Sequence, residues 1–210
     1  MSTSAGPRSG TSRYHHGNLR RTLVNAALQL IEQQGLDGLT LRQAARSVGV
    51  SHAAVYRHFS DKQALVRAVA VDEMARLRGD LQAALAGIDD PLEAFQAFCV
   101  AYVLYAVKHP ARFRVLFSAV VAADDDALAD ARDEMMGMLI AGVEACQRTA
   151  VFPKGPPEGH ALVAWSLVHG LATLLVDGVL RRGSNVDDPR GAAQMVIGTV
   201  LGAMRHARVL

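Results

Sequence analysis

Between Thr40 and Lys62 the chain carries side chains suited to gripping a polyanion rather than to making or breaking bonds. Arg42, Tyr56, Arg57, His58 and Lys62 are hydrogen-bond donors, and Thr40 and Ser51 offer hydroxyls. His52 is followed by Ala53 and Ala54, small enough to let a backbone come close to a surface. An arginine can fork onto a guanine edge, an alanine can touch a thymine methyl, and a hydroxyl or ammonium can hold a phosphate. The sequence has no nucleophile–base spacing, no phosphate-cradling glycine loop and no Cys/His metal spacing. The expectation is therefore a binding protein, not an enzyme, with no metal and no cofactor. The adjacent His15 and His16 lack a third ligand.

The elements that must position these groups follow from spacing. Thr40 with Gln43 reads as a capping box opening a short helix, which places Leu41, Ala44, Ala45 and Val48 at i, i+3, i+4 and i+7. Gly49 stops it. Ser51 caps a second short helix, His52 to about Phe59, anchored by Val55 and Phe59. Two helices joined by a three-residue turn form a helix-turn-helix, whose second member can place its leading end in a major groove about 12 Å wide. Ser60 with Gln63 reads as another capping box, opening a long helix to about Gly87 and putting Lys62 where helix N–H groups favour a phosphate. Upstream, Asn18 is expected to cap a helix that buries Leu19, Leu23, Ala26, Ala27, Leu30 and Ile31 and ends at Gly35.

Charge supports this placement. Residues 1–67 hold nine Lys and Arg against three acids, whereas the rest of the 210-residue chain holds thirteen against seventeen. A basic block beside an acidic one suggests that one part faces nucleic acid and the other does not. Residues 1–17, with Arg8 and Arg13, read as a flexible arm or a plain tail. They have no apolar core and no cleavage pattern, so the expected location is cytoplasmic, with Cys99 and Cys146 as reduced thiols. From Pro91 onward helices are expected over 91–108, 110–122, 125–149, 158–182 and 188–207, separated by Pro, Gly and Asp runs. No period-two alternation occurs. The fold class expected is all-α, with about nine helices. Residues 161–180 are apolar enough to warrant a membrane check. Ser166, His169, Thr173 and Asp177 fall on one face there, so the expectation is a buried helix and no membrane partner.

The run LTLRQAARSVGVSHAAVYRHFSDKQAL, Leu39 to Leu65, resembles the DNA-binding segment of the TetR family of transcriptional regulators. The likeness covers about residues 14–68 and rests on the hydrophobic pattern with Gly49, Ser51, Tyr56, His58, Phe59, Asp61 and Lys62. It implies phosphate contacts for Thr40, Tyr56, His58 and Lys62, and positions near base edges for Arg42, His52, Ala53 and Arg57. The opening YHHGNLR, Tyr14 to Arg20, resembles one subgroup. The subgroup's Trp-x-x-x-His-Gly signature is seen here as Trp165 to Gly170. The resemblance implies a helix-turn-helix domain at 18–68 and a ligand-binding and dimerisation domain at 69–210. It also implies a homodimer on palindromic operator DNA.

The C-terminal half supplies candidates for the other two roles. Phe98, Tyr102, Tyr105, Phe113, Phe117, Met135, Met138, Trp165 and His169 can line an apolar cavity with a few polar groups, suited to an apolar or amphipathic effector, or can simply pack a core. Gly170, Gly178, Gly198 and Gly202 permit close helix approach, and Leu171, Leu174, Val196, Val200, Leu201 and Met204 supply apolar contact for a four-helix dimer bundle. The mechanism expected is that ligand shifts the helix after Asp61 and changes the separation of two recognition helices, which must match half-sites about 34–36 Å apart. The expected function is a repressor released from its operator by the ligand; an activator with the same domains is the alternative that sequence does not separate from it.

Overall fold

The computed structural model describes residues 16–118, 126–180 and 188–206, with side chains over 19–118, 126–180 and 188–203. The N-terminal arm and the Met204 side chain lie outside these. Among the described residues there are nine α-helices and no strand: α1 His16–Gly38, α2 Leu41–Ser47, α3 His52–Tyr56, α4 Lys62–Leu85, α5 Pro91–Lys108, α6 Pro110–Leu116, α7 Asp126–Arg148, α8 Pro157–Val176 and α9 Pro189–His206. The chain forms two compact units, Met1–Val69 and Ala70–Leu210.

In the first unit, α1 begins two residues before Asn18, so Asn18 lies inside the helix rather than capping it. Gly35 interrupts α1 with φ 78, and one further turn follows to Gly38. Leu23, Ala27 and Ile31 are buried as expected, joined by Val24 and Leu28, whereas Leu19 and Leu30 are half-buried. Leu41, Ala44 and Ala45 of α2 and Val55 of α3 close the core, while Val48 is only half-buried. The expected cap at Ser60 is displaced by one residue. Asp61 Oδ1 accepts the Ala64 N–H at 2.7 Å, and Ser60 Oγ donates to Asp61 Oδ2 at 3.0 Å. A carboxylate is the stronger acceptor at a helix N-terminus, which explains the shift.

In the second unit, α5 packs against α6, α7, α8 and α9. Its run of Phe95, Phe98, Cys99, Tyr102, Val103 and Ala106 is buried by neighbours on several sides. Burial pushes the Cys99 thiol up to about 12, so it behaves as a small hydrophobe. α6 stops at Leu116, six residues before the expected end. α8 stops at Val176, because Gly178 takes φ 67 and the Val179 N–H reaches back to Leu174 O at 3.0 Å. That is a Schellman closure, which needs a left-handed residue at Gly178. α8 is long and apolar enough to cross a membrane. The expectation that it is buried is only half right. Ala161, Ala164, Val168 and Ala172 face the core, whereas Leu162, Val163, Leu167 and Leu174 are exposed.

Candidate functional site: an outward-facing helix and an aromatic cavity

The turn between α2 and α3 sets the first site. Gly49 has φ 71, and the Val50 N–H bonds to Ala45 O at 3.0 Å, closing α2 and redirecting the chain. Thr40 Oγ1 accepts the Gln43 N–H at 3.2 Å and donates to Gln43 Oε1 at 2.8 Å, so α2 starts on a capped residue. Ser51 Oγ accepts the Ala54 N–H at 3.3 Å and does the same for α3. Val55 and Phe59 are buried, which leaves Ser51, His52, Ala53, Tyr56 and Arg57 exposed and Ala54 and His58 half-buried. Thr40 and Arg42 are exposed as well. The leading end of α3 is thus presented outward from a core-anchored underside.

Two contacts refine this face. The His52 and Tyr56 rings meet edge to face at 4.9 Å, although Tyr56 is 51% exposed. One turn of helix separates them, so each limits the other's rotamers. Lys62 Nζ donates to Asp37 O at 3.2 Å, which ties the start of α4 to the end of α1. An ammonium has three donors, so two remain for an anion. Sequence reasoning did not single out Arg20, whose guanidinium lies 5.3 Å from the Phe59 ring centroid. Nothing in the local spacing signals that pair, which arises only when α1 and the segment after α3 come together.

The second unit holds a cavity of about 460 Å³ lined by Phe98, Tyr102, Phe117, Met135 and Trp165 among the expected residues. Met74, Leu77, Met136 and Leu139 extend its apolar wall, with Ser118, Arg132 and Asp133 as polar members. The first four come from α4 and α7, whose inward positions only the helix packing reveals. The remaining expected residues lie elsewhere. Tyr105 is buried and donates to Glu73 Oε2 at 3.3 Å. Met138 lines a smaller hollow of about 270 Å³ beside Phe95 and Gly142. Phe113 is buried behind the wall, 5.0 Å from the Phe117 ring and 5.4 Å from the His169 ring.

His169 supports the wall rather than forming it. Its Nδ1 lies 2.9 Å from Tyr102 Oη, and its ring lies 4.4 Å from Phe117 and 5.4 Å from Trp165. Burial holds the imidazole below its ordinary value, so it is neutral at neutral pH. Burial also raises the Tyr102 phenol. The Trp-x-x-x-His spacing places the Trp165 and His169 rings a turn apart on α8, 5.4 Å from each other.

Beside the cavity, Glu73 is 1% exposed on α4. Arg112 of α6 approaches its Oε2 at 3.4 Å and Arg76 its Oε1 at 3.0 Å. Neither composition nor periodicity flagged this buried acid.

The sequence also matches two family models. Residues 23–69 match the model described as bacterial regulatory proteins, tetR family, and residues 95–200 match the tetracyclin repressor-like C-terminal domain. The chain belongs to the TetR family. A solved structure of a Rhodococcus sp. RHA1 protein of unknown function is 31% identical, with 93% of this chain and 100% of that one covered and a TM-score of 0.81. A TetR-family regulator from Pectobacterium atrosepticum shares the fold, with a TM-score of 0.73 at 19% identity over 95% of this chain and 100% of that one. The class D tetracycline repressor of Escherichia coli is 40% identical over 57 residues, 27% of this chain and 26% of that protein. The chain thus spans about a quarter of the length of the curated tetracycline repressors it matches. In this TetR-family chain the apolar residues left outward on α8 and α9 are Leu162, Val163, Leu167, Leu174 and Met195. Of the expected dimer residues, Leu174, Gly198 and Gly202 are exposed, and Gly170, Gly178, Val196 and Val200 are half-buried. A Cβ added at Gly170, Gly198 or Gly202 would meet open space. Leu171 and Leu201 face the chain's own core, because they sit on the buried stripes of α8 and α9.

Proposed function

We propose that this protein is a homodimeric repressor that binds a palindromic operator through residues 40–62 and is released by a small apolar or amphipathic effector. The DNA-binding domain is residues 18–68 and the sensor and dimerisation domain residues 69–210, of the subgroup carrying Trp165, His169 and Gly170. The observation that carries the ligand response is the cavity of about 460 Å³ with aromatic and methionine walls and few polar groups, the usual character of a small-molecule site. DNA reading is supported by the outward leading end of α3 and the hydroxyls and cations around it. Arg42, His52, Ala53, Ala54 and Arg57 meet base edges; Thr40, Ser51, Tyr56, His58 and Lys62 hold phosphates. A second copy covers the outward apolar face of α8 and α9, where open glycines admit another helix.

Trp165 is the chain's one tryptophan and lines the cavity, so intrinsic fluorescence reports occupancy directly. Compounds are selected by their effect on Trp165 emission and then added to the operator complex. Those that shift the emission lower operator affinity by orders of magnitude, a coupling of about 3 kcal/mol or more. Occupancy that leaves operator affinity unchanged refutes the ligand response.

A further inference from the structure

His52 opens α3 and Tyr56 closes it, and both side chains are exposed. Their rings lie one helical turn apart, with centroids 4.9 Å from each other and planes at 83°. A perpendicular pair of this kind sets the positive edge of one ring against the negative face of the other. The contact restrains a side chain that nothing in the core holds. An exposed imidazole samples several staggered wells, and few of them aim a ring nitrogen at a given base. Ordering such a side chain on binding opposes association. A neighbour that selects the rotamer beforehand removes part of that opposition.

The two ends of Tyr56 have separate uses. Its hydroxyl lies beyond the ring, free to reach a phosphate, while the ring itself leans on His52. Phosphate contacts carry no sequence information directly, whereas contacts to base edges do. An imidazole offers an N–H donor in either charge state. Its simplest match in the major groove is N7, the acceptor that both purines present there.

We infer that Tyr56 is a positioning residue for base reading: its ring holds the His52 imidazole so that one N–H donates to a purine N7 in each operator half-site. This rests on residues 40–62 binding operator DNA, and it gives the tyrosine a part in specificity as well as in affinity.

The test uses the full-length protein and a duplex that it selects from a random pool. Each purine of the half-sites is replaced in turn by its 7-deaza analogue, which removes N7 and keeps base pairing, and affinity is read by anisotropy. At one position the penalty, about three- to tenfold for a lost hydrogen bond, should vanish in His52→Ala. Tyr56→Leu keeps bulk but loses the ring, and should at least halve that penalty, since such a ring pair biases its partner about two- to tenfold. Tyr56→Phe keeps the ring and loses the hydroxyl. It should weaken every duplex alike and retain the penalty in full. Both side chains are exposed, so these variants leave the core untouched. A penalty that survives Tyr56→Leu, one that disappears in Tyr56→Phe, or no purine whose penalty depends on His52 overturns the inference and leaves DNA binding in place. Failure of the native protein to select any duplex would refute the DNA-binding reading, and the inference with it.

Discussion

At the scale of the residue, the cavity wall depends on one hydroxyl. Tyr102→Phe removes the hydroxyl hydrogen-bonded to His169 Nδ1 and leaves that half-buried ring nitrogen without it. The expected loss is about 1–2 kcal/mol of stability, measured by denaturant titration, with the ring packing against Phe113 retained. The sign of the pH effect follows from the depressed imidazole. The unfolded chain binds the His169 proton more readily than the folded one, so stability is level above about pH 6.5 and falls on acidification below it. His169→Gln should flatten that part of the profile, and an unchanged slope would place the titration elsewhere. At Glu73, Arg112→Met removes one cation from a buried carboxylate, and about 3 kcal/mol should be lost. The aromatic candidates were legible from helical spacing, and Phe98, Tyr102, Phe117, Met135 and Trp165 do share a cavity. Spacing could not separate wall from backing, because Tyr105, Phe113 and His169 occupy the same stripes and differ only in what another helix places beside them.

At the scale of the element, caps and turns were the most legible feature, since they depend on residues three or four apart. Thr40, Ser51 and Gly49 act as their types require. Ser60 does not, because Asp61 beside it is the better acceptor. Asp61→Ala should therefore lower the melting temperature more than Ser60→Ala, and the reverse order would return the cap to Ser60. Gly49→Ala meets no atom within 4 Å, so its cost is backbone alone. About 1–2 kcal/mol is expected from forcing a Cβ into the left-handed region. The ends of α6 and α8 were less legible. Apolar sequence continues past both, and backbone closure at Phe117 and Gly178 decides where the helices stop.

At the scale of the whole molecule, an all-α chain of about nine helices was legible from periodicity and from glycine and proline breaks. The outward face of α8 was not, because a helix apolar on every side but one narrow polar stripe does not say which side its own chain covers. If a second copy covers Leu162, Leu167 and Leu174, then Leu167→Glu should convert a sedimenting dimer to a monomer. A dimer that survives the charge would move the interface elsewhere. The most direct test of the account is the anisotropy of a labelled duplex carrying an inverted repeat, titrated at several salt concentrations with the native protein and with Tyr56→Ala and Lys62→Ala. The account predicts tight, salt-dependent binding that each substitution weakens, with the salt slope shallower by about one for Lys62→Ala and unchanged for Tyr56→Ala, whose phenol is uncharged. Binding indifferent to both substitutions, or no binding at low salt, would contradict it.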